Sequence, residues 1–422
     1  MKRSIWAWSF LAAFVLAGLA LAGLGIAGPA WAQSRDDNWN RCVADDPDLS
    51  IGGCTALIQS GQESTTNLAT AFTDRCIAYH NKGDDDRAKQ DCDQAIRLKS
   101  DYANAYSERG LIEYDQNDYD KSITDLSQAI RLKPDDSIAY NNRGNSYSSK
   151  GQHDLAMGDY NQALRINPNY ATALNNRGDE YRILKQYDKA IADLDRAIQL
   201  RPDYALAFNN RGLVYFRMGN DDRAIQDYDQ AISLKPEYAD AYYGRGRVYA
   251  DKEQYAQAIA DFDQSSKIDP SNASVWNSSC WYKAIAGQLQ AALSDCNQSL
   301  QLRPGDADTL DSRGLVNLKL GNADAAIADY EAALAADAKL PTSLYGRGIA
   351  KHLKGDKAGG DADVAAAVQS MPDIAAQFAK WGVKDQIGGS NSMVMMIGGG
   401  IVVLAVIGFL GYYLGQRRSR PA

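Results

Sequence analysis

The sequence predicts an all-α protein built from stacked helical hairpins, and three observations lead to this fold class. A block with the pattern Ala-x-Asn-Asn-Arg-Gly returns at a step of 34 residues, at 139–144, 173–178 and 207–212. Apolar and small residues around each block are spaced three, four and seven apart, which is the spacing of one helix face. Glycine and proline recur where helices would end. A fixed period of this length is typical of a stack in which each repeat covers the apolar face of the next.

Each repeat divides into two predicted helices when its recurring glycine is numbered position 8. Alanine recurs at positions 20 and 27, and large aromatic residues recur at positions 4 and 11. A glycine near position 15 predicts the end of the first helix, and a proline at position 32 predicts the end of the second. The small residues allow the two antiparallel helices to approach closely. No hairpin of this kind buries its apolar face alone, so the stack is the folded unit.

A second regularity is electrostatic and pairs position 7 with position 23. Position 7 is arginine at 75, 109, 143, 177, 211, 245, 313 and 347, with Ser279 as the exception, and position 23 is aspartate at 91, 125, 159, 193, 227, 261, 295, 329 and 363. Because the hairpin turns near position 15, these two positions lie opposite each other, and we predict a ladder of Arg–Asp pairs. The alternative, arginines that bind an acidic ligand, is weaker because each arginine has a carboxylate in its own repeat.

These positions resemble the signature of the tetratricopeptide repeat. The resemblance covers about residues 69–374 as nine repeats, with a degenerate hairpin before them at 33–68 and a capping helix after them at 375–384. The pattern is broken at Ser100 and Ala338, which replace the closing proline. The resemblance implies a right-handed superhelix of helical hairpins with a concave inner groove.

The six cysteines fall in pairs on the repeat frame. Cys76 and Cys280 stand at the glycine position, and Cys92 and Cys296 follow sixteen residues later. An even, paired set predicts disulfides in an oxidising compartment. The predicted bonds are Cys42–Cys54, Cys76–Cys92 and Cys280–Cys296. Metal binding by the thiolates is the weaker alternative, because two cysteines without a partnering histidine are too few ligands, and we expect no metal site.

The two ends of the chain place the repeats outside the cytoplasm. Residues 1–32 combine a basic start, a long apolar run and an Ala-x-Ala site, which predicts a cleaved signal peptide; an uncleaved N-terminal anchor is the alternative. Residues 393–414 carry no charge and predict a transmembrane helix, after a linker at 385–392 and before a basic cytoplasmic tail at 415–422. A sorting tail that is later removed is the alternative for this end.

These ends predict an exported, membrane-anchored protein of bacterial type. We expect a single-pass protein of the cell inner membrane, with the repeats in the periplasm and the C-terminus in the cytoplasm. The G-x-x-x-G formed by Gly411 and Gly415 is compatible with helix pairing, although glycine is common in membrane spans.

Neither composition nor motifs favour catalysis or nucleic-acid binding. The formal net charge is -8, and the repeats carry no basic patch for a nucleic acid. His80, His153 and His352 occupy different repeat positions, and no glycine-rich phosphate loop or nucleophile elbow is present. We therefore expect no enzyme activity and no cofactor.

One set of polar residues indicates binding. Positions 5 and 6 are paired asparagines in three consecutive repeats: Asn141, Asn142, Asn175, Asn176, Asn209 and Asn210. Since one face of each first helix lines the groove in the family, we predict a ladder of amides that brackets the peptide groups of an extended segment. Trp281 joins this set at position 9, which varies between repeats and is suited to specificity. The alternative is that the asparagines recur only because the repeats were duplicated.

The sequence thus predicts an extracytoplasmic, membrane-tethered scaffold that binds an extended segment of a partner protein, in envelope assembly or secretion. Two alternatives remain: a structural homo-oligomer built through the span and the end repeats, and an accessory role in polysaccharide export. An enzyme or a carbohydrate-binding module that uses the groove aromatics is weaker, because no catalytic set is present.

Overall fold

The computed structural model describes residues 34–383, and every regular element in that range is an α-helix. The prediction of an all-α stack of repeats is confirmed there. The predicted signal peptide at 1–32 and the predicted linker, span and tail at 385–422 lie outside the described residues. Within 34–383, no helix combines the length and apolar character that a membrane crossing requires. The contacts group the chain into two compact units divided between Leu200 and Arg201.

The first unit is a series of five hairpins, each made of two consecutive helices. The helices are α1 (Arg35–Cys42), α2 (Pro47–Ser60), α3 (Thr65–Asn81), α4 (Asp85–Leu98), α5 (Ala103–Asp115), α6 (Tyr119–Leu132), α7 (Ser137–Ser149), α8 (His153–Ile166), α9 (Ala171–Ile183) and α10 (Tyr187–Leu200). The pair α1–α2 occupies the stretch predicted as a degenerate first hairpin, and its short helix α1 explains why the 34-residue pattern is weak there.

The second unit contains five further hairpins and a terminal helix. The helices are α11 (Ala205–Arg217), α12 (Asp221–Leu234), α13 (Ala239–Asp251), α14 (Tyr255–Ile268), α15 (Ala273–Ile285), α16 (Leu289–Leu302), α17 (Ala307–Leu320), α18 (Ala323–Ala336), α19 (Pro341–Leu353), α20 (Lys357–Ser370) and α21 (Ile374–Lys380). Helix α21 packs against α19 and α20 and buries Ile374 and Phe378. It ends four residues before the predicted boundary of the capping helix.

In the hairpins from α3–α4 to α19–α20, the turn contains a single residue in the left-handed region, followed closely by the start of the second helix. Glycine takes this conformation in most repeats, for example Gly151 with φ 71°. Three repeats make the same turn without glycine, at Asn117, Lys185 and Glu253, with φ between 57° and 61°. The left-handed region is sterically unfavourable for a residue with a Cβ. We therefore infer that the packing of the two helices imposes this turn.

The glycine at position 8 lets the two helices of a hairpin come into contact. A Cβ atom added to Gly144 would lie 2.7 Å from Cε1 of Tyr160, which occupies position 24 of the same repeat. Gly178 meets Leu194 in the same way, at 2.9 Å from its Cγ. The large residue at position 24 therefore fills the space that the missing side chain leaves.

Within each unit, the first helices of successive hairpins contact one another. In the first unit α3 packs against α5, α5 against α7 and α7 against α9, and in the second unit α15 packs against α17 and α17 against α19. Each second helix packs against its own partner and against the first helix of the next hairpin in the unit. We call the side formed by the first helices the inner face.

Candidate functional site

The asparagines at position 5 lie inside the stack and not on its surface. Asn141 and Asn175 are each 1% exposed, and Asn209 is 9% exposed. The amide Nδ2 of Asn141 donates to Oδ1 of Asn142 at 3.2 Å, and Asn175 donates to Asn176 in the same way at 3.1 Å. Burial removes the three position-5 asparagines from contact with a ligand, and the ladder hypothesis narrows to position 6.

The asparagines at position 6 are half-buried and belong to an amide network on the inner face. Nδ2 of Asn176 donates to Oδ1 of Asn141 and to Oδ1 of Asn145, both at 3.0 Å. Tyr160 donates its hydroxyl to the same Asn145 oxygen at 2.8 Å. The network connects α7 to α9, so it fixes the orientation of Asn176. In the second unit Asn210 accepts from Nδ2 of Asn209 at 3.4 Å, which repeats the pairing within one helix.

Asn142 differs from Asn176 in its hydrogen bonds. Its Oδ1 accepts from Asn141, whereas its Nδ2 donates to no atom of residues 34–383. The two neighbouring position-6 residues of the first unit are carboxylates, Asp74 and Glu108. Burial raises the pKa of Asp74 to about 6, and burial likewise raises the pKa of Glu108. Position 6 of the first unit therefore carries hydrogen-bonding groups that the stack uses only in part.

The predicted Arg–Asp ladder is confirmed in every repeat that has the arginine. Each guanidinium donates through Nε and Nη2 to the two carboxylate oxygens of the aspartate sixteen residues later, at 2.7 and 2.7 Å for Arg177 and Asp193. A third bond, which the sequence did not suggest, runs to the preceding repeat: Nη1 of Arg177 donates to Asn161 at 2.8 Å, and Nη1 of Arg109 donates to Asp93 at 2.6 Å. The arginines are thereby engaged in holding the stack together.

The one repeat without the arginine replaces it with a lysine one helical turn later. Lys283 at position 11 donates through Nζ to Asp295 at 2.8 Å and to Asp263 of the preceding repeat at 2.7 Å. The hydroxyl of Ser279 donates to the same two carboxylates. Burial alone would lower the pKa of Lys283, but the hydrogen bonds that it donates to both aspartates raise this pKa above its ordinary value. The lysine is therefore charged and takes over the role of the arginine.

Trp281 lies on the inner face of the second unit and is half-buried. Its ring meets the edge of Trp381 with 4.8 Å between the ring centroids. Trp381 follows α21, and its carbonyl accepts from Nζ of Lys319 at 2.6 Å. Lys319 also donates to the carbonyl of Ala284 at 2.5 Å, so the end of the chain's described part is tied to α15 and α17. Trp281 also lines a cavity between these two helices.

All six cysteines are disulfide-bonded in the predicted combinations. Cys42 bonds to Cys54, Cys76 to Cys92 and Cys280 to Cys296, with Cα–Cα distances of 4.5, 5.6 and 5.3 Å. The last two bonds occupy the space that other repeats fill with a glycine and a large side chain at positions 8 and 24. Three disulfides are typical of proteins in an oxidising, extracytoplasmic environment.

The titratable residues do not assemble into a catalytic set. His80 lies between Asp85 and Asp115, His153 contacts Glu180, and His352 contacts Asp361. The three histidines lie on separate hairpins. Among residues 34–383, no group of three or more histidine, cysteine or carboxylate side chains is arranged to hold a metal ion.

Family profiles identify the repeats. Profiles described as "TPR repeat" and "Tetratricopeptide repeat" match residues 77–102, 110–151, 137–170, 159–192, 178–219, 215–252, 239–272 and 307–340. The chain is a tetratricopeptide repeat protein. Proteins of this class are in general non-enzymatic scaffolds for protein–protein interaction. No curated protein sequence matches the chain.

The chain is also similar to solved structures. The APC/C hetero-tetramer Cut9–Hcn1 is 17% identical with a TM-score of 0.55, over 67% of this chain and 54% of that chain. PilF of Pseudomonas aeruginosa is 22% identical with a TM-score of 0.44, over 49% of this chain and 94% of that chain. A tetratricopeptide repeat protein of Parabacteroides merdae is 20% identical with a TM-score of 0.48, over 59% and 98%. At 17% identity the likeness to Cut9–Hcn1 supports the fold alone.

Proposed function

We propose that this protein is an extracytoplasmic, membrane-tethered scaffold that binds an extended segment of a partner protein along its inner face, in envelope assembly or secretion. The observation that carries this proposal is the half-buried pair of amides, Asn142 and Asn176, one repeat apart on the adjoining helices α7 and α9. The proposal goes beyond the general scaffold role of the class in naming the face, the form of the ligand and the compartment.

The chemistry of position 6 suits a peptide backbone. An amide side chain both donates and accepts, so it can bond the N–H and the C=O of one peptide group. Asn142 has its Nδ2 available, and the network around Asn176 holds that side chain in one orientation before a ligand arrives. A group that is already oriented loses less conformational entropy on binding. The two amides together would fix the register of an extended segment.

The three disulfides support the proposed compartment. They close loops in both units, and such bonds form and persist outside the reducing cytosol. The proposed tether is the apolar segment at 393–414, which lies outside the described residues.

Affinity capture with the full-length protein as bait tests the proposal. We expect a captured partner to be lost with Asn142→Ala/Asn176→Ala and retained with Gln162→Ala, which removes an amide from the second helix α8. The melting temperature of each variant shows whether the stack is intact. Capture that is equal for the double variant and the wild type, with both folded, would contradict the assignment of the inner-face amides.

A further inference from the structure

A cavity on the inner face of the second unit combines aromatic walls with two carboxylates. It lies between α15, α17 and the start of α19, and its lining includes Trp281, Tyr282, Asp308 and Asp311. The two aspartates occupy positions 2 and 5 of their repeat, and Trp281 occupies position 9 of the repeat before it. Trp281 was singled out from the sequence, whereas the carboxylates were not.

Asp311 is a buried carboxylate that no cation of its surroundings compensates. It is 9% exposed, and its Oδ1 accepts from the hydroxyl of Ser343 at 2.5 Å. Burial raises its pKa to about 6, while hydrogen bonds from Ser343 and Thr342 act in the opposite direction and the charge of Asp308 raises it further. At pH 7.5 and above the group is ionised, and it is held by hydroxyls alone. A buried charge in this state is stabilised by an incoming cation.

The cations on the neighbouring helices are bonded to other groups. Among them are Arg313, bonded to Asp329 and Asn297, Lys319, bonded to the carbonyls of Ala284 and Trp381, and Arg247, which lies over the rings of Phe216 and Tyr243. Asp308 is exposed at the mouth of the cavity, and its side chain pairs with no residue of the described chain. Within residues 34–383, neither Asp308 nor Asp311 forms an ion pair, so the cavity holds two carboxylates without a cationic partner from the described chain.

The aromatic walls are fixed in place. Trp281 is held by the edge contact with Trp381, and Tyr282 stacks with Phe262 and Tyr255 at 5.7 and 5.8 Å between centroids. The side-chain oxygen of Asn277, another lining residue, is a buried acceptor without a hydrogen-bond partner in residues 34–383. Rigid aromatic faces, two carboxylates and an amide oxygen without a hydrogen-bond partner in the described chain are the complement of a planar cation with several donors.

We propose that this cavity receives the side chain of an arginine from the partner protein that binds the inner face. The guanidinium stacks on an aromatic face and donates from five N–H groups in a fixed plane, so it pairs with Asp308 and Asp311 together and reaches the oxygen of Asn277. A lysine offers a point charge with three donors and no plane to stack. This inference rests on the proposed function and adds to it the chemistry of one side chain of the partner.

A titration of the full-length protein with blocked arginine tests the site directly. The probe is Nα-acetyl-arginine methylamide, and the control is its citrulline counterpart, which has the same shape without the charge. We expect the indole N–H signal of Trp281, assigned with Trp281→Phe, to shift saturably with arginine and not with citrulline. Free arginine should bind more weakly, because its α-carboxylate meets Asp308; binding of free arginine alone would contradict a protein ligand.

Three variants distinguish the site from the surrounding surface. Asp308→Asn/Asp311→Asn should weaken the arginine probe at least tenfold, and the exposed Asp308→Asn alone should weaken it without affecting the fold. Asp240→Asn removes an exposed carboxylate from position 2 of α13 and should leave binding unchanged. Equal shifts with citrulline, or full binding by the double variant, would overturn the proposal. Partner capture that still depends on Asn142 and Asn176 would in that case leave the proposed function standing.

Discussion

Two neighbouring hairpins of the second unit solve the same packing problem with different residues. In α13–α14 the ring of Phe262 lies over Gly246, where a Cβ would be 2.8 Å from Cε1 of the ring. In α15–α16 the corresponding positions are Cys280 and Cys296, joined by a disulfide. The contact between positions 8 and 24 is therefore filled either by a ring on a glycine or by a covalent bond.

The same two hairpins also differ in the cation that binds the buried carboxylates. Arg245 donates to Asp261 of its own repeat and to Asp229 of the repeat before, at 2.7 and 2.5 Å. In the next hairpin Lys283 donates to the equivalent aspartates, Asp263 and Asp295, although it lies one helical turn later than the arginine position. The comparison shows that the stack requires a cation between these carboxylates, whereas the residue type and its position can change together.

Loss of Arg245 should lower the free energy of unfolding more than any other substitution proposed here. Arg245→Ala leaves Asp261, 8% exposed at its side chain, without a cation, and removing one partner of a buried pair lowers the free energy of unfolding by about 4 kcal/mol. Hydrogen exchange of the α13 and α14 amides measures this locally, and Arg217→Ala on an exposed site of α11 is the control. Unchanged protection in Arg245→Ala would show that the pair is not a structural requirement.

Loss of the disulfide should have the next largest effect. Cys280→Ala/Cys296→Ala opens a loop with a sequence separation of 16 and should lower the free energy of unfolding by about 3 kcal/mol. Cys280→Gly/Cys296→Phe copies the neighbouring hairpin and should recover part of that loss, because the ring fills the space over the glycine. If the copied pair were less stable than the alanine pair, the two solutions would not be interchangeable.

Removal of the replacing lysine should have a smaller effect than removal of the arginine. Lys283→Met leaves the hydroxyl of Ser279 bonded to both carboxylates, so we expect a loss of about 2 kcal/mol, measured by hydrogen exchange of α15 and α16. Lys252→Met, which removes an exposed ion pair with Asp222, should change the free energy of unfolding by less than about 0.5 kcal/mol. Equal effects of the two substitutions would remove Lys283 from the ladder.

The sequence predicts the frame of each hairpin well because strict periodicity specifies it. Position 15 is an example: glycine marks the turn in most repeats, and the same turn forms at Lys185 only because the flanking helices align with those of other repeats. The Arg–Asp ladder and the disulfides follow from the same argument, since residues sixteen apart across a turn at position 15 face each other.

The details of the inner face are less predictable for a physical reason. Positions 5 and 6 are about 100° apart around a helix, so both are compatible with the inner face, and only the packing decides that Asn141 is buried and Asn142 is not. The role of Lys283 depends on the reach of a long side chain across a turn. The signal available in the sequence was a lysine at position 11, which is tyrosine in five of the other repeats.

Glu113, a glutamate at position 11, provides the test with the smallest expected change in the free energy of unfolding. Lys283 and Lys351 donate to position 23 from there, whereas α5 has Glu113 beside Asp125. Burial raises the pKa of Glu113 to about 7, with a further contribution from the charge of Asp125 and opposing ones from Lys89 and Arg109. Its Oε2 is buried without a hydrogen-bond partner in the described chain. When Glu113 ionises, its negative charge repels that of Asp125.

The sign of the pH dependence follows from that raised pKa. In the unfolded chain glutamate ionises near about 4.3, so between that pH and about 7 the folded state retains a proton that the unfolded state has lost. The free energy of unfolding therefore falls as the pH rises through this interval. Glu113→Gln keeps the side chain neutral and should raise the free energy of unfolding by about 1–2 kcal/mol at pH 8, with no effect at pH 4.

Denaturation of Glu113→Gln and of the exposed control Glu237→Gln at pH 4 and pH 8 measures the difference. If Glu113→Gln raises the free energy of unfolding at pH 8 only, the stack tolerates an uncompensated carboxylate at position 11 at the expense of stability. A loss at pH 8 would instead mean that the ionised Glu113 is stabilised by Lys89, whose Nζ lies 3.9 Å away. In that case the cation required between the repeats would be supplied from the second helix of the preceding hairpin, and position 11 would be free to vary in charge as long as a cation is within reach.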